Sequence, residues 1–288
     1  MSTWIRDMFK EEKPIIAMVH FPPLPGAPLY DTTNGMKMIV RSLSQDLAVL
    51  QDGGVDGVMF CNEGDRPYLI DVGPETVAAM ACGIGQLKSE IQVPFGVDVL
   101  WDPEAAIAIA AVTGASFVRE VFTGLFASDM GLWNPRCGAV LRKRREIGAE
   151  DVRLLFNINA EFATSLDCRP LAQLAKSVVF SSLAEAICVS GPMTGEEASP
   201  EALQSVKDVV KEVPVFANTG VCTHNVARQL KVADAAVVGT ALKKDGVTWN
   251  AVDPARVKEF MHEVREMRGG LARIDSTDNS VKPARRTF

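Results

Sequence analysis

A closed (β/α)8 TIM-type barrel is the fold class this sequence predicts, and three observations carry the prediction. Eight short runs rich in Val, Ile and Phe alternate with eight stretches of helical period. Four of those stretches open on a capping side chain followed by Pro, which is how many helices begin. The first strand runs into His20-Phe21-Pro22-Pro23-Leu24-Pro25-Gly26, not the Gly-rich turn that a doubly wound nucleotide-binding sheet places there.

In order, the strand runs lie at 15–20, 55–61, 95–100, 116–122, 153–159, 186–190, 215–219 and 235–239. The helix patterns lie near 36–52, 74–91, 103–112, 135–147, 170–180, 200–212, 223–231 and 254–268. Gly53-Gly54 stops the first long helix, and Val93-Pro94, Gly114 and Val213-Pro214 precede strands. Asp102-Pro103, Asn134-Pro135, Ser199-Pro200 and Asp253-Pro254 mark helix starts. Residues 1–268 therefore form one barrel domain. After Gly269-Gly270, the polar stretch 269–288, with Lys282, Arg285 and Arg286, reads as a flexible tail.

Composition narrows the function classes. A hydrophobic fraction of 47% and mean hydropathy of +0.10 suit strands covered on both faces. No apolar run reaches the 18 to 20 or so residues of a membrane span, and residues 1–13 are too charged for a secretion signal. The expected location is cytoplasmic. The six cysteines show no C-x-x-C spacing and read as reduced thiols. A net charge of −6 offers no basic face for nucleic acid. A second copy of the chain is admitted as a partner.

In such barrels chemistry sits at the C-terminal strand ends. His20 ends the first strand, Glu63 follows the second, Asp98 lies inside the third, and Glu120 lies in the fourth. These four are the candidate catalytic acids and bases. Asp98, in an otherwise apolar strand, needs a partner, and Arg119 on the next strand is the obvious one. Arg119 and Glu120 have opposite parity, so one faces the axis and the other the helix layer. Asn157, Asn159 and Glu161 share one parity and are placed toward the mouth. With Arg119, Ser190 and Asn218 they form the candidate substrate-binding set. Such a set admits a divalent cation, Mg2+ or Zn2+, although no H-x-H or H-E-x-x-H spacing marks one. No strand has an interior Lys for a Schiff base, and there is no Ser nucleophile elbow or Walker loop. Acid–base work on a sugar-like substrate remains: isomerisation, lysis or glycosidic cleavage.

Loops after the seventh and eighth strands of these barrels often hold phosphate on backbone N–H groups and a short helix. Here they carry Gly220-Val221 and Gly239-Thr240, with Lys243 as a nearby charge. These five residues are the candidate phosphate site for a small phosphorylated ligand.

Several motifs resemble the BtpA/SgcQ family, most closely its SgcQ branch. They are His20–Gly26, Asn62-Glu63, the segments 94–103 and 117–124, Cys188-Val189-Ser190-Gly191, the segment 217–222 and Lys243-Lys244-Asp245-Gly246. The likeness spans residues 4 to 268. It implies a TIM barrel related to ribulose-phosphate-binding barrels, and the branch's association with sugar-phosphotransferase genes implies carbohydrate metabolism. Cyanobacterial members are linked to photosystem I biogenesis, so the resemblance also admits a non-catalytic assembly factor. Other members carry a nucleoside triphosphatase label, for which this chain has no recognisable phosphate clamp. Asp98 stands where the family commonly has Asn, and Asn157-Ile158-Asn159 where many members have an Asp-Val-His type of strand. A role inferred for that strand in relatives is therefore not carried over.

Overall fold

The computed structural model describes residues 3–278. In chain order its strands are β1 (Ile15–His20), β2 (Gly57–Cys61), β3 (Phe95–Asp98), β4 (Phe117–Glu120), β5 (Phe126–Ser128), β6 (Gly131–Trp133), β7 (Arg153–Asn157), β8 (Ala163–Ser165), β9 (Ala186–Val189), β10 (Val215–Ala217) and β11 (Ala235–Val238). Its helices are α1 (Thr3–Phe9), α2 (Gly35–Gly53), α3 (Pro74–Leu87), α4 (Pro103–Thr113), α5 (Cys137–Glu146), α6 (Leu171–Ser182), α7 (Pro200–Val209), α8 (Val226–Val232) and α9 (Pro254–Asp278). Eight strands pair in parallel in the order β1-β2-β3-β4-β7-β9-β10-β11. They close where Ile16 of β1 meets Val237 of β11. This is the (β/α)8 barrel the alternation predicts.

Alternation along each strand sorts side chains into two buried layers. Ile15, Ala17 and Val19 of β1 pack outward with Ile39, Leu43 and Leu47 of α2. Ile16 and Met18 point inward, with Met59, Phe117, Leu155 and Phe216. Helix α1 closes the N-terminal end, where Phe9 packs on Phe117 with ring centroids 5.9 Å apart. The sequence reading treats 1–13 only as a charged, amphipathic stretch; Ile5 and Phe9 are the buried face of this plug.

Three of the four predicted caps form. Asp102 and Ser199 accept the N–H groups of Ala105 and Ala202, and Asp253 accepts that of Ala255. Asn134 does not cap, because α5 starts at Cys137. The preceding Trp133 is held in β6 opposite Phe126, so the chain is still extended at that point. Strands β6-β5-β8 form an antiparallel sheet from the segments that follow β4 and β7. The sequence reading contains no such flap. Helix α9 continues through Gly269-Gly270 to Asp278, beyond the expected boundary at 268; residues 279–288 of the expected tail lie outside the described residues. No helix among the described residues is long and apolar enough to cross a membrane.

Gly96 faces into the barrel, where a Cβ would stand 2.1 Å from the Phe117 ring. Gly96→Val therefore overpacks the interior and is expected to cost on the order of 3 kcal/mol, read as a lowered urea midpoint. An unchanged midpoint would show that Phe117 can move aside.

Candidate functional site

Inward parity on β4 belongs to Arg119. The guanidinium donates through Nη1 to Asp98 Oδ2 at 2.5 Å and through Nη2 to Glu161 Oε1 at 2.7 Å, and all three side chains are buried. Glu161 also accepts from Asn157 Nδ2 (2.9 Å) and Asn218 Nδ2 (3.1 Å). Ser190 Oγ donates to Asn157 Oδ1 (2.8 Å) and accepts from Asn218 (2.6 Å). Strands β3, β4, β9 and β10, with the end of β7, are thus tied together at the mouth by one polar network. The predicted pairing of Asp98 with Arg119 is present. Asn159 differs from expectation: alternation ends with β7 at Asn157. Its amide instead brackets the Ser190 backbone, accepting from N (2.9 Å) and donating to O (2.5 Å).

Glu120, of opposite parity, turns over the end of β3, and its Oε1 accepts the Val99 N–H at 2.7 Å. Asp98 Oδ1 and Glu120 Oε2 are both buried without a donor among the described residues. One proton shared between the two carboxyls satisfies both. Burial pushes Glu120 well above the ordinary carboxylate range, and the charge of Asp98 and a hydrogen bond to it add to the rise. Glu120 is therefore the partner that carries the proton.

Above this network opens a cavity of about 300 Å³ at the C-terminal strand ends. Of the four expected catalytic residues, Glu63 and His20 line it, while Asp98 and Glu120 lie beneath the lining. Glu63 is 6% exposed. Tyr68 Oη and Thr194 Oγ1 lie 3.3 and 3.4 Å from its Oε1. Burial pushes its carboxyl up to about 7, Asp98 adding to the rise and Arg119 opposing it. Burial, followed by the positive charge of Lys243, holds the His20 imidazole well below its usual value, so it is neutral near pH 7. Glu63 is thus a carboxyl that exchanges protons near neutrality, beside a neutral imidazole.

The wall next to His20 is backbone, since a Cβ on Gly239 would stand 3.4 Å from the His20 ring. Gly220, Val221, Gly239 and Thr240 all line the cavity. Their N–H groups donate to no protein acceptor among the described residues. Gly220 has φ +60°, and a Cβ there would stand 2.2 Å from Glu196 C and Glu197 N. Only glycine permits both that conformation and that approach. Thr219 fixes the loop by accepting the Gly191 N–H and donating to Glu196 O. Thr240 begins a single 3-10 turn, Thr240–Leu242. Such a cup of unpaired N–H groups attracts an anion. Lys243 does not reach it: its Nζ is buried against Asp46 Oδ2 at 2.7 Å, facing α2.

No group of three or more His, Cys, Asp and Glu side chains able to hold a metal ion occurs among the described residues. Arg119 already stands between Asp98 and Glu161, so the carboxylates expected to converge on Mg2+ or Zn2+ are bridged by a cation instead. Residues the sequence reading misses are Tyr68, Trp101, Phe162 and Thr194. They come from loops, where no periodicity signals an inward direction. Only Ser128-Asp129-Met130-Gly131, a turn between two apolar runs, hints at the flap.

A family model described as the BtpA family matches residues 11–266. The chain is 48% identical over 266 residues to the sgc region protein SgcQ of Escherichia coli K12, covering 92% of this chain and 99% of that one. It is 31% identical over 261 residues to the photosystem I biogenesis protein BtpA of Synechocystis, covering 90% of each. Among solved structures it resembles (S)-3-O-geranylgeranylglyceryl phosphate synthase of Thermoplasma acidophilum, in complex with sn-glycerol-1-phosphate. That match has a TM-score of 0.57 at 13% identity and covers 91% of this chain and 97% of that one. It also resembles phosphoribosyl anthranilate isomerase of Thermococcus kodakaraensis, with a TM-score of 0.52 at 13% identity, covering 88% and 99%. These two likenesses concern the fold.

Since Glu120 is neutral, Glu120→Gln is close to isosteric and is expected to change unfolding free energy by less than about 1 kcal/mol. Arg119→Met leaves Asp98 and Glu161 buried without a counter-charge and is expected to cost about 3–5 kcal/mol. A carboxyl with a raised folded-state pKa contributes stability that is full below its unfolded value and lost as pH rises through the folded one. For Glu63 that window runs from 4.5 to about 7. Tm should fall across it, and fall less in Glu63→Gln. Denaturant and thermal melts at several pH values check all three statements; an Arg119→Met variant as stable as the parent contradicts the second.

Proposed function

The chain belongs to the BtpA family, and on that premise we propose that it is an enzyme acting on a small phosphorylated sugar or nucleoside-like compound by acid–base chemistry. The observation that carries the proposal is Glu63. Its carboxyl, pushed up to about 7, lines the same cavity as Gly220, Val221, Gly239 and Thr240, whose N–H groups have no protein acceptor among the described residues. The cup holds the phosphate by its N–H dipoles, with no free cation needed. The rest of the substrate then lies over Arg119, Glu161 and Asn218, whose outward polar edges orient hydroxyl groups.

Glu63 takes or returns the proton, since a carboxyl that titrates near the working pH is suited to both tasks. His20 adds a neutral donor or acceptor on the neighbouring strand. Asp98 and Glu120 do not touch substrate; they position Arg119. The aromatic wall of Trp101 and Phe162 limits water at the reacting end. Isomerisation, lysis and glycosidic cleavage all suit this arrangement. The phosphate-bearing names of the two solved structures of similar fold agree with the proposed ligand class.

A panel of inorganic phosphate, sugar phosphates and nucleotides in a thermal-shift assay tests the reading, because a ligand that binds the folded state raises Tm. At least one phosphorylated compound should do so, and Gly239→Glu, which puts a negative charge at the cup, should abolish the shift. Glu63→Gln should keep the shift and lower turnover on the matched compound at least a hundredfold. A panel without a single stabilising phosphate compound refutes the cup; full turnover by Glu63→Gln refutes the role of Glu63.

A further inference from the structure

A second cavity of about 160 Å³ opens on the same face of the barrel, between the loops after β1, β2 and β11 and the side of α2. His20 belongs to the walls of both cavities, so the two are neighbours across one imidazole. The floor of the smaller one is the buried Lys243–Asp46 pair. Both carboxylate oxygens of Asp46 are spent, Oδ2 on Lys243 and Oδ1 on the Val252 N–H at 2.8 Å.

The wall is different. Arg66 lies half-buried with its guanidinium 3.5 Å from the centroid of the Trp249 ring. Among the described residues its side chain enters no salt bridge and donates no hydrogen bond, and its Nε is shut from solvent without an acceptor. The neighbouring acid Asp65 is turned away: its Oδ1 accepts the Leu24 N–H at 2.8 Å. Stacking occupies the face of a guanidinium and leaves its N–H edge free for a planar or tetrahedral anion. A half-buried guanidinium with a shielded Nε and no counter-charge is placed to receive an anion.

From this we infer that the ligand carries a second anionic group, a phosphate or a carboxylate, which passes His20 and is received by Arg66 over Trp249. The substrate class becomes doubly anionic: a sugar bisphosphate or a phosphorylated sugar acid. This rests on the proposed phosphate cup for the first group, while the Arg66 site stands on its own contacts.

Two measurements test it. Crystals soaked in inorganic phosphate should show two ions per chain, one at the Gly220–Gly239 cup and one on Arg66. Arg66→Gln should lose only the second, and Gly239→Glu only the first. An ion at the cup alone overturns the Arg66 site and leaves the proposed function intact. An ion on Arg66 alone overturns the cup and leaves the Arg66 site. No ion at either place overturns both. In calorimetric titrations, a hexose bisphosphate or 6-phosphogluconate should bind at least about tenfold more tightly than a hexose monophosphate. Arg66→Gln should remove that margin without weakening the monophosphate, and Arg66→Lys should restore part of it. Which doubly anionic probe gains more separates phosphate from carboxylate. Equal affinity of the wild-type chain for singly and doubly anionic probes overturns the inference.

Discussion

Arg119, held between Asp98 and Glu161 inside the barrel mouth, is the interaction on which the rest of the site depends. A guanidinium and two carboxylates out of water are stable together only if each meets the others in hydrogen-bonding geometry. Arg119 does this with both arms of its fork. Because both Nη groups are committed to these two carboxylates, the remaining carboxyls must find other solutions. Glu120 takes up a proton against Asp98. Glu63, higher in the mouth, has no cation to itself and is left near neutrality. One ion pair thereby divides a cluster of carboxyls into structural, neutral and proton-exchanging members.

The fold supplies what side chains alone do not. Parallel pairing brings the ends of β10 and β11 side by side, so the cup at Gly220 and Gly239 is a consequence of strand order. The flap β6-β5-β8 covers the opposite rim, where Trp133 packs on Trp101 with centroids 5.0 Å apart and on Phe126 at 5.2 Å. Tyr68 then reaches both Glu63 and the Trp101 ring. The result is a cavity in which the backbone of Gly220 and Gly239 stands beside His20, with Trp101 and Phe162 also in its lining.

Much of this was legible in the residues. Strands buried on both faces leave continuous Val and Ile runs, and Asp/Ser-Pro pairs announce helices, so the eight units could be counted. A lone carboxylate in an apolar strand demands a cation, which located Asp98 with Arg119. Parity showed that Arg119 and Glu120 must part, but not which turned inward; only the register with β3, Gly96 opposite Phe117, decides it. Beyond the ends of the regular strands, alternation no longer fixes where a side chain points. Asn159 fell two residues past β7 and turned to backbone, and Lys243, read as a free charge, found Asp46 on a helix 197 residues earlier. Tyr68, Thr194 and Arg66 sit in loops whose directions follow from tertiary packing.

The proton-exchanging character of Glu63 is the central claim, and its own titration tests it most directly. Carbon-13 labelled glutamate, assigned with the Glu63→Gln variant, reports the carboxyl's protonation across pH 4 to 9. The structure predicts a midpoint near 7 for this one resonance. A midpoint near 4.5, the ordinary value for a glutamate, would contradict the account.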